Sequence, residues 1–397
     1  MTSKHISRRD WLRKGALATG AVVATPYFGY SGQSKAPLTL NSSGDALYSP
    51  FFKEYLRKDK IEFPVWDAKL NANENPYGPS PKALEAFKNG AAGGNRYAWK
   101  ELVELMGKIA EFEGVAFENI MMGPGSSDLL EKTAMVLCMK GGNVVSADPA
   151  YMSLIQVAKS VGASWKPVPL KKDWSHDLKA MEEAVDAETK LVYICNPNNP
   201  TGTITDHDEL LEFCSRVSEK VPVFVDEAYL AFLGEGLKRS MVGLISKGKD
   251  IIIARTFSKI HGMAGLRVGY IVGQEATLGK LREVTRGGMG ISYPSVLAAS
   301  AAMDDTEFLD KSRILNQQCR EYVYERLTQM NIDYVPSHTS FIIFPIDLGG
   351  QEFLEKMTDL KVGVRAFQFM DQDWCRVSMG TMDEMKLFGE ALAKVLV

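Results

Sequence analysis

The 397-residue chain has no C-x-x-C pair, and its five cysteines (Cys138, Cys195, Cys214, Cys319, Cys375) are scattered and odd in number. That pattern offers neither a zinc site nor a disulfide framework, and the histidines show no ligand spacing, so no metal is expected. Charge of one sign is missing too. With 46 Lys+Arg against 49 Asp+Glu, the chain lacks the electrostatic footprint of a nucleic-acid binder. No apolar run approaches the roughly 20 residues that span a bilayer, so no stable membrane anchor is expected. Internal repeats and low-complexity tracts are absent. What remains is an ordinary globular composition, 45% hydrophobic and 24% charged, which excludes a disordered or fibrous chain. The length points to two domains, or one large domain with a lobe.

Residues 1–35 are a different text. Ser7-Arg8-Arg9-Asp10-Trp11-Leu12-Arg13-Lys14 sets paired arginines before an aromatic and a leucine, and the short apolar run GALATGAVVA follows. A charged region and then a brief apolar one is the plan of a secretory signal, and the Arg pair points to the twin-arginine export machinery. The expectation is a protein that folds in the cytoplasm and is then exported, to the periplasm. The plainer reading is a basic terminus with an incidental Arg pair. Twin-arginine export carries folded proteins, often built around a cofactor, and folding in a reducing cytosol does not call for disulfides.

Residues 36–92 read as an N-terminal arm and part of a small domain, 93–296 as a large domain, and 297–397 as a C-terminal small α+β domain. Within the large domain, NVVSADP, LVYICNP, VPVFVDEAY and DIIIARTFSK are brief Val/Ile-rich runs separated by helical patterns. That alternation predicts an α/β fold with a mostly parallel sheet covered on both faces. One connection is too short. Only about ten residues precede LRVGYIVG, fewer than a parallel crossover needs, so this strand is expected to be antiparallel.

Ligands of open parallel sheets sit beyond the carboxyl ends of the strands. Those ends deliver Asp226 with Glu227 and Tyr229, then Thr256, Ser258 and Lys259, then the turn Asn196-Pro197-Asn198-Asn199-Pro200-Thr201-Gly202. Singly, each has a plain explanation as a cap, a surface charge or a turn. Jointly, a lysine and a strand-end carboxylate suit pyridoxal phosphate: the lysine forms a Schiff base, and the acid keeps the pyridine nitrogen protonated. The same pair would serve a lyase, decarboxylase or racemase as well as a transaminase. A cofactor-binding protein without activity would not need the lysine.

NPNNPTG, VDEAY, RTFSKIHGMAGLRVGY and CRVSMG occur in that order. From about Leu70 to the C-terminus the chain resembles the fold-type I pyridoxal-phosphate-dependent aminotransferases of class I/II, in the histidinol-phosphate aminotransferase branch. The resemblance implies transamination between an amino acid, or a histidinol-phosphate-like amine, and a 2-oxo acid. It makes Lys259 the Schiff-base lysine and proton carrier, and puts Asp226 on the pyridine nitrogen. Asn199 and Tyr229 would lie on the phenolic oxygen and Tyr151 over the ring. Gly125, Ser126 and Ser127 would hold the phosphate at a helix N-terminus, with Thr256, Ser258 and Arg267 beside them. Tyr97 would reach that phosphate from a second subunit, implying a homodimer with shared sites. Arg376 would hold the substrate α-carboxylate, with Asn73 and Tyr77 near it. Arg365 matches the arginine that receives the substrate phosphate in the branch. Thr339-Ser340-Phe341 departs from the branch's frequent Ala-Asn-Phe, which removes a side-chain amide contact.

Overall fold

The computed structural model describes residues 39–57 and 64–396, so the twin-arginine segment lies outside the described residues. Seven strands form the central sheet: β1 (Ile120–Gly123), β2 (Asn143–Asp148), β3 (Ser164–Pro169), β4 (Thr189–Cys195), β5 (Val223–Asp226), β6 (Ile251–Thr256) and β7 (Gly269–Gly273). Their order is β1-β7-β6-β5-β4-β2-β3. β7 runs antiparallel to both neighbours, whereas the pairs β6–β5, β5–β4, β4–β2 and β2–β3 are parallel. The short connection after β6 thus has the consequence expected from its length: without room for a helical crossover, the chain turns back on itself.

Strand alternation builds two cores from single runs. Ile251 and Ile253 of β6 face one helical layer, with Val192, Ile194, Val223 and Val225. Ile252 and Ala254 face the opposite layer, with Tyr193, Phe224 and Ile271. Burial on both faces explains why these strands read as continuous apolar runs. At the carboxyl edge, Cys195 and Ala254 lie level with Asp226, so three chain exits open side by side.

A second, antiparallel sheet contains β8 (Phe341–Ile346), β9 (Arg365–Phe369) and β10 (Gln372–Ser378), with β10 in the middle of the three. The arm does not stay apart. Its short strands Thr39–Leu40, Ala46–Leu47 and Lys53–Tyr55 extend this sheet beyond β9. The strand Ala68–Lys69 pairs with Val362–Gly363, and Ser378 N donates to Leu70 O at 2.9 Å. The segment that follows is therefore led from the small domain to the edge of the large sheet. Among the described residues, no helix is long and apolar enough to cross a membrane.

Candidate active site

Asp226, the last residue of β5, is buried; its Oδ1 accepts from Ala228 N at 3.2 Å and its Oδ2 from the Tyr193 hydroxyl at 3.3 Å. Burial pushes its carboxyl up to about 6. Extended backbone sends the next side chain the other way. Glu227 turns behind the sheet, accepting from Ser240 Oγ at 2.8 Å and Met241 N at 2.9 Å, and pairs with Arg255.

Lys259 leaves the loop after β6 with Nζ 3.4 Å from Ala72 O and 5.6 Å from the centre of the Tyr229 ring. Burial, with the Arg376 charge second, lowers its ammonium to about 8. Tyr229 is buried, edge-on to Phe341, and its Oη accepts from Asn73 Nδ2 at 2.9 Å, leaving the phenolic proton free to donate. Asn73 adopts a left-handed φ of 53° and is locked by β10: its N donates to Ser378 Oγ, whose hydroxyl donates back to Asn73 Oδ1.

The helix Ser126–Cys138 begins without a side-chain cap at Gly125, whose φ is 92°. Its first amides are thus open to an anion, assisted by the helix dipole. Arg267 closes the far side, with Nη1 3.4 Å from Ser258 Oγ and Nη2 3.2 Å from Pro124 O. A Cβ on Gly125 would collide with this guanidinium, and one on Gly269 would collide with Ser126 N. Two glycines therefore let backbone and arginine meet around the helix end. Thr256 Oγ1 accepts from Ser258 N at 3.0 Å, which orients the Ser258 hydroxyl beside Arg267.

Beside this cradle lies a cavity of about 230 Å³ whose lining includes Tyr151, Asn199, Arg376, Arg365, Glu54 and Tyr48. Arg376 in β10 is 3% exposed and donates from Nη1 to Asn199 Oδ1 at 2.7 Å and from Nη2 to Asn71 O at 3.4 Å; among the described residues its Nε has no partner. Burial, and then the Arg365 charge, lowers its pKa to about 10. A buried guanidinium without a carboxylate is costly to maintain and is a ready acceptor site for an anion.

A class I and II aminotransferase family model matches residues 67–392. The histidinol-phosphate aminotransferase of Akkermansia muciniphila is 35% identical over 83% of this chain and 90% of its own. Histidinol-phosphate aminotransferase 2 of Nitrosospira multiformis is 36% identical over 83% of each chain. The chain belongs to the class I and II aminotransferases. The crystal structure of histidinol-phosphate aminotransferase from Sinorhizobium meliloti in complex with pyridoxal-5'-phosphate superposes with a TM-score of 0.77, at 26% identity, over 83% of this chain and 91% of that one. These relatives favour transamination over the lyase, decarboxylase and racemase readings, and pyridoxal phosphate is the aminotransferase's cofactor. The donor set fits that group: an uncapped helix end with an arginine for a phosphate, a lysine of lowered pKa for an aldehyde, and a buried acid without a cation for a ring nitrogen.

Of the residues singled out in the aminotransferase's sequence, Lys259, Asp226, Tyr229, Asn73, Asn199 and Arg376 form one hydrogen-bonded and electrostatically coupled group. Gly125, Ser126, Ser127, Thr256, Ser258 and Arg267 surround the helix end, and Ser127 Oγ stands 3.4 Å from Tyr151 Oη. Two tyrosines stand elsewhere. Tyr77 lines a separate crevice with Phe232, Asn316 and Met379, because Asn75 Oδ1 accepts from its amide and turns the chain. Tyr97 is 73% exposed, with its ring 5.9 Å centre to centre from that of Trp99. His261 is half-buried, 4.8 Å centre to centre from the Phe257 ring, and loss of solvent around it lowers its pKa to about 4. Sequence reasoning missed Glu54, Tyr48, Ser378 and Tyr193. Glu54 and Tyr48 sit in an arm without period, Tyr193 lies inside the apolar run LVYICNP, and Ser378 lies inside CRVSMG, where the arginine alone drew notice.

Proposed function

We propose that the aminotransferase carries an amino group from an amino acid, or a histidinol-phosphate-like amine, to a 2-oxo acid, with Lys259 as the proton-carrying lysine and Arg376 as the carboxylate anchor. The observation that carries this reading is the unpaired, buried Arg376 guanidinium held by Asn199 and coupled to Lys259. Bound pyridoxal phosphate supplies an electron sink for the bonds at the substrate α-carbon. With its unpartnered Nε–H, Arg376 would grip the α-carboxylate of an amino acid donor and fix which α-bond is aligned for cleavage. Lys259 Nζ, with its ammonium lowered to about 8, is neutral often enough near neutral pH to take the proton from the α-carbon and return it. The Asp226 carboxylate holds a proton on the ring nitrogen, gaining the cationic partner its buried site lacks. The Tyr229 hydroxyl and the Asn199 amide donate to the ring's phenolic oxygen. The amides of Ser126 and Ser127, beside a Gly125 whose own amide donates to Gly123 O, would hold the phosphate with Ser258, Thr256 and Arg267, and Tyr151 would cover the ring.

Two further parts of the reading rest on sequence pattern. The exposed Tyr97 reaches the phosphate of a second copy, which makes the working unit a homodimer. A monomer in sedimentation that turned over at full rate would refute this. The Arg8-Arg9 signal exports the folded protein, a route that suits the five free, buried cysteines. Loss of export on changing both arginines to lysine, seen by cell fractionation, is the expected result, and unchanged export would overturn it.

The activity test is the visible spectrum of the purified, cofactor-loaded protein with a donor and no 2-oxo acid. Histidinol phosphate comes first, then a panel of amino acids. Loss of the cofactor's band without release of ammonia is expected for at least one donor. Release of ammonia or carbon dioxide with the band retained would reverse the assignment.

A further inference from the structure

Arg365 is not free. Its Nε donates to Glu54 Oε1 at 2.7 Å, its Nη2 bonds the same oxygen, and Glu54 Oε2 accepts from the Tyr48 hydroxyl at 2.6 Å. The carboxylate is buried, while the arginine side chain is 39% exposed and borders the cavity. Sheet register explains the pairing. Glu54 in the arm strand Lys53–Tyr55 lies opposite Phe367 of β9, which makes Arg365 its diagonal neighbour on the same face. Arg365 in turn lies directly opposite Arg376 of β10. Two like charges side by side repel, and the Arg365 charge contributes to lowering the pKa of Arg376. Glu54 relieves that repulsion at the position farther from Asn199. Glu54 and Tyr48 also lie outside residues 67–392, the stretch that matches the aminotransferase family.

We infer that Glu54 is a specificity-determining residue: by discharging Arg365 it makes the side-chain pocket select amino donors with uncharged, aromatic-sized side chains over donors ending in phosphate or carboxylate. This rests on the aminotransferase reading above and narrows its donors to amino acids, setting the histidinol-phosphate-like amine aside. Among the described residues, Arg376 remains the one uncompensated cation lining the cavity and takes the α-carboxylate that amino acid donors share. Beyond it the wall is ring-rich, with Tyr48, Phe52, Tyr151 and Phe367, and the Arg365 guanidinium lies 5.6 Å from the Phe367 ring centre. An anion entering this pocket would meet a guanidinium whose charge is already paired with Glu54, and a buried carboxylate of its own sign. An uncharged ring meets neither penalty and buries apolar surface.

The test compares two probes that carry the same carboxylate for Arg376 but differ at the other end, 3-phenylpropanoate and 3-phosphonopropanoate. Each is titrated into the cofactor-loaded protein by calorimetry. The wild type is expected to bind the phenyl probe at least about tenfold more tightly, a factor that one uncompensated charge readily supplies. Glu54→Gln is expected to swing the affinity ratio about tenfold or more toward the phosphonate. In the double variant Glu54→Gln/Arg365→Gln, again without net charge there, the ratio should return towards the wild-type value. A purely structural role for Glu54 would weaken both probes together and leave the ratio unmoved. That result, or a wild type that prefers the phosphonate, would overturn the inference. Arg365→Gln alone, which leaves Glu54 in place, should push the ratio further toward the phenyl probe and serves if Glu54→Gln does not fold. The ratio needs no turnover, so it is separable from the activity test: a protein that converts no donor yet shows these ratios would remove transamination and leave the pocket assignment standing.

Discussion

Arg255 and Arg376 are both buried, 8% and 3% exposed, yet they are treated in opposite ways. Behind the sheet, Arg255 donates to Glu113 Oε1 at 3.1 Å and to Ser240 Oγ at 3.0 Å, and Glu227 Oε2 is 2.7 Å from its Nη1. Burial works against its charge, but Glu227 and Glu113 outweigh that and raise its pKa. The Tyr270 hydroxyl completes the cluster by donating to Glu113 Oε1 at 2.7 Å. Arg376 has no such carboxylate, and its pKa falls to about 10. The adjacent residues Glu227 and Asp226 repeat the contrast. Burial raises both carboxyls, but Glu227 is ion-paired with Arg255, whereas Asp226 has no ion-pair partner among the described residues and rises to about 6. A buried charge satisfied internally holds the fold together. One left uncompensated costs stability and is reserved for a ligand.

Arg255→Met breaks the first case. It strands Glu113 and Glu227, and a loss of about 3–5 kcal/mol is expected in denaturant unfolding. A loss below about 1 kcal/mol would mean that the cluster is not internally balanced. Arg376→Met tests the other side. Turnover with amino acid donors should fall on the order of 100-fold in kcat/KM, while the melting temperature holds or rises, because an unpaired buried cation has been removed. A marked drop in melting temperature would place Arg376 with Arg255 as a structural group.

Asp226→Asn sharpens the comparison in the cofactor-free protein. The folded carboxyl titrates near 6 against an ordinary 3.8, so its favourable contribution is full below about pH 4 and is lost as pH rises through 6. The variant should therefore be more stable than wild type at pH 7, by about 1–3 kcal/mol, with the difference gone below pH 4. Its affinity for pyridoxal phosphate should fall at the same time. Equal stability at both pH values would show that the wild-type carboxylate is already compensated.

The smallest effect is a shift of midpoint. Incorporation of pyridoxal phosphate into the cofactor-free protein needs the neutral amine of Lys259, so its rate should rise with pH about a midpoint near 8. A midpoint near the ordinary lysine value would mean that neither burial nor Arg376 acts on that amine.

Much of this was legible along the chain because it depends on local pattern. The apolar runs of β4, β5 and β6 announce strands buried on both faces, and each run ends in the residue that reaches the site. The short connection to β7 fixes its direction by reach alone. The uncapped helix end at residues 125–127 and the lysine loop were readable from the motifs that bracket them. Tyr77 was not, because the Asn75 side chain turns the backbone before it, and a residue letter does not show which way a turn aims.

The parallel sheet with its one reversed strand, the aminotransferase family and the order of the site-bearing loops can all be read along the chain, because alternation, connection length and motif spacing are properties of neighbouring residues. Which charges are answered follows from the folded arrangement alone. Glu54 meets Arg365 from 311 positions away, and Glu113 meets Arg255 from 142. Backbone ladders and helix packing bring these groups together with no trace in the local sequence. The physical reason is that the net value of a buried charge depends on its partner and its distance from water.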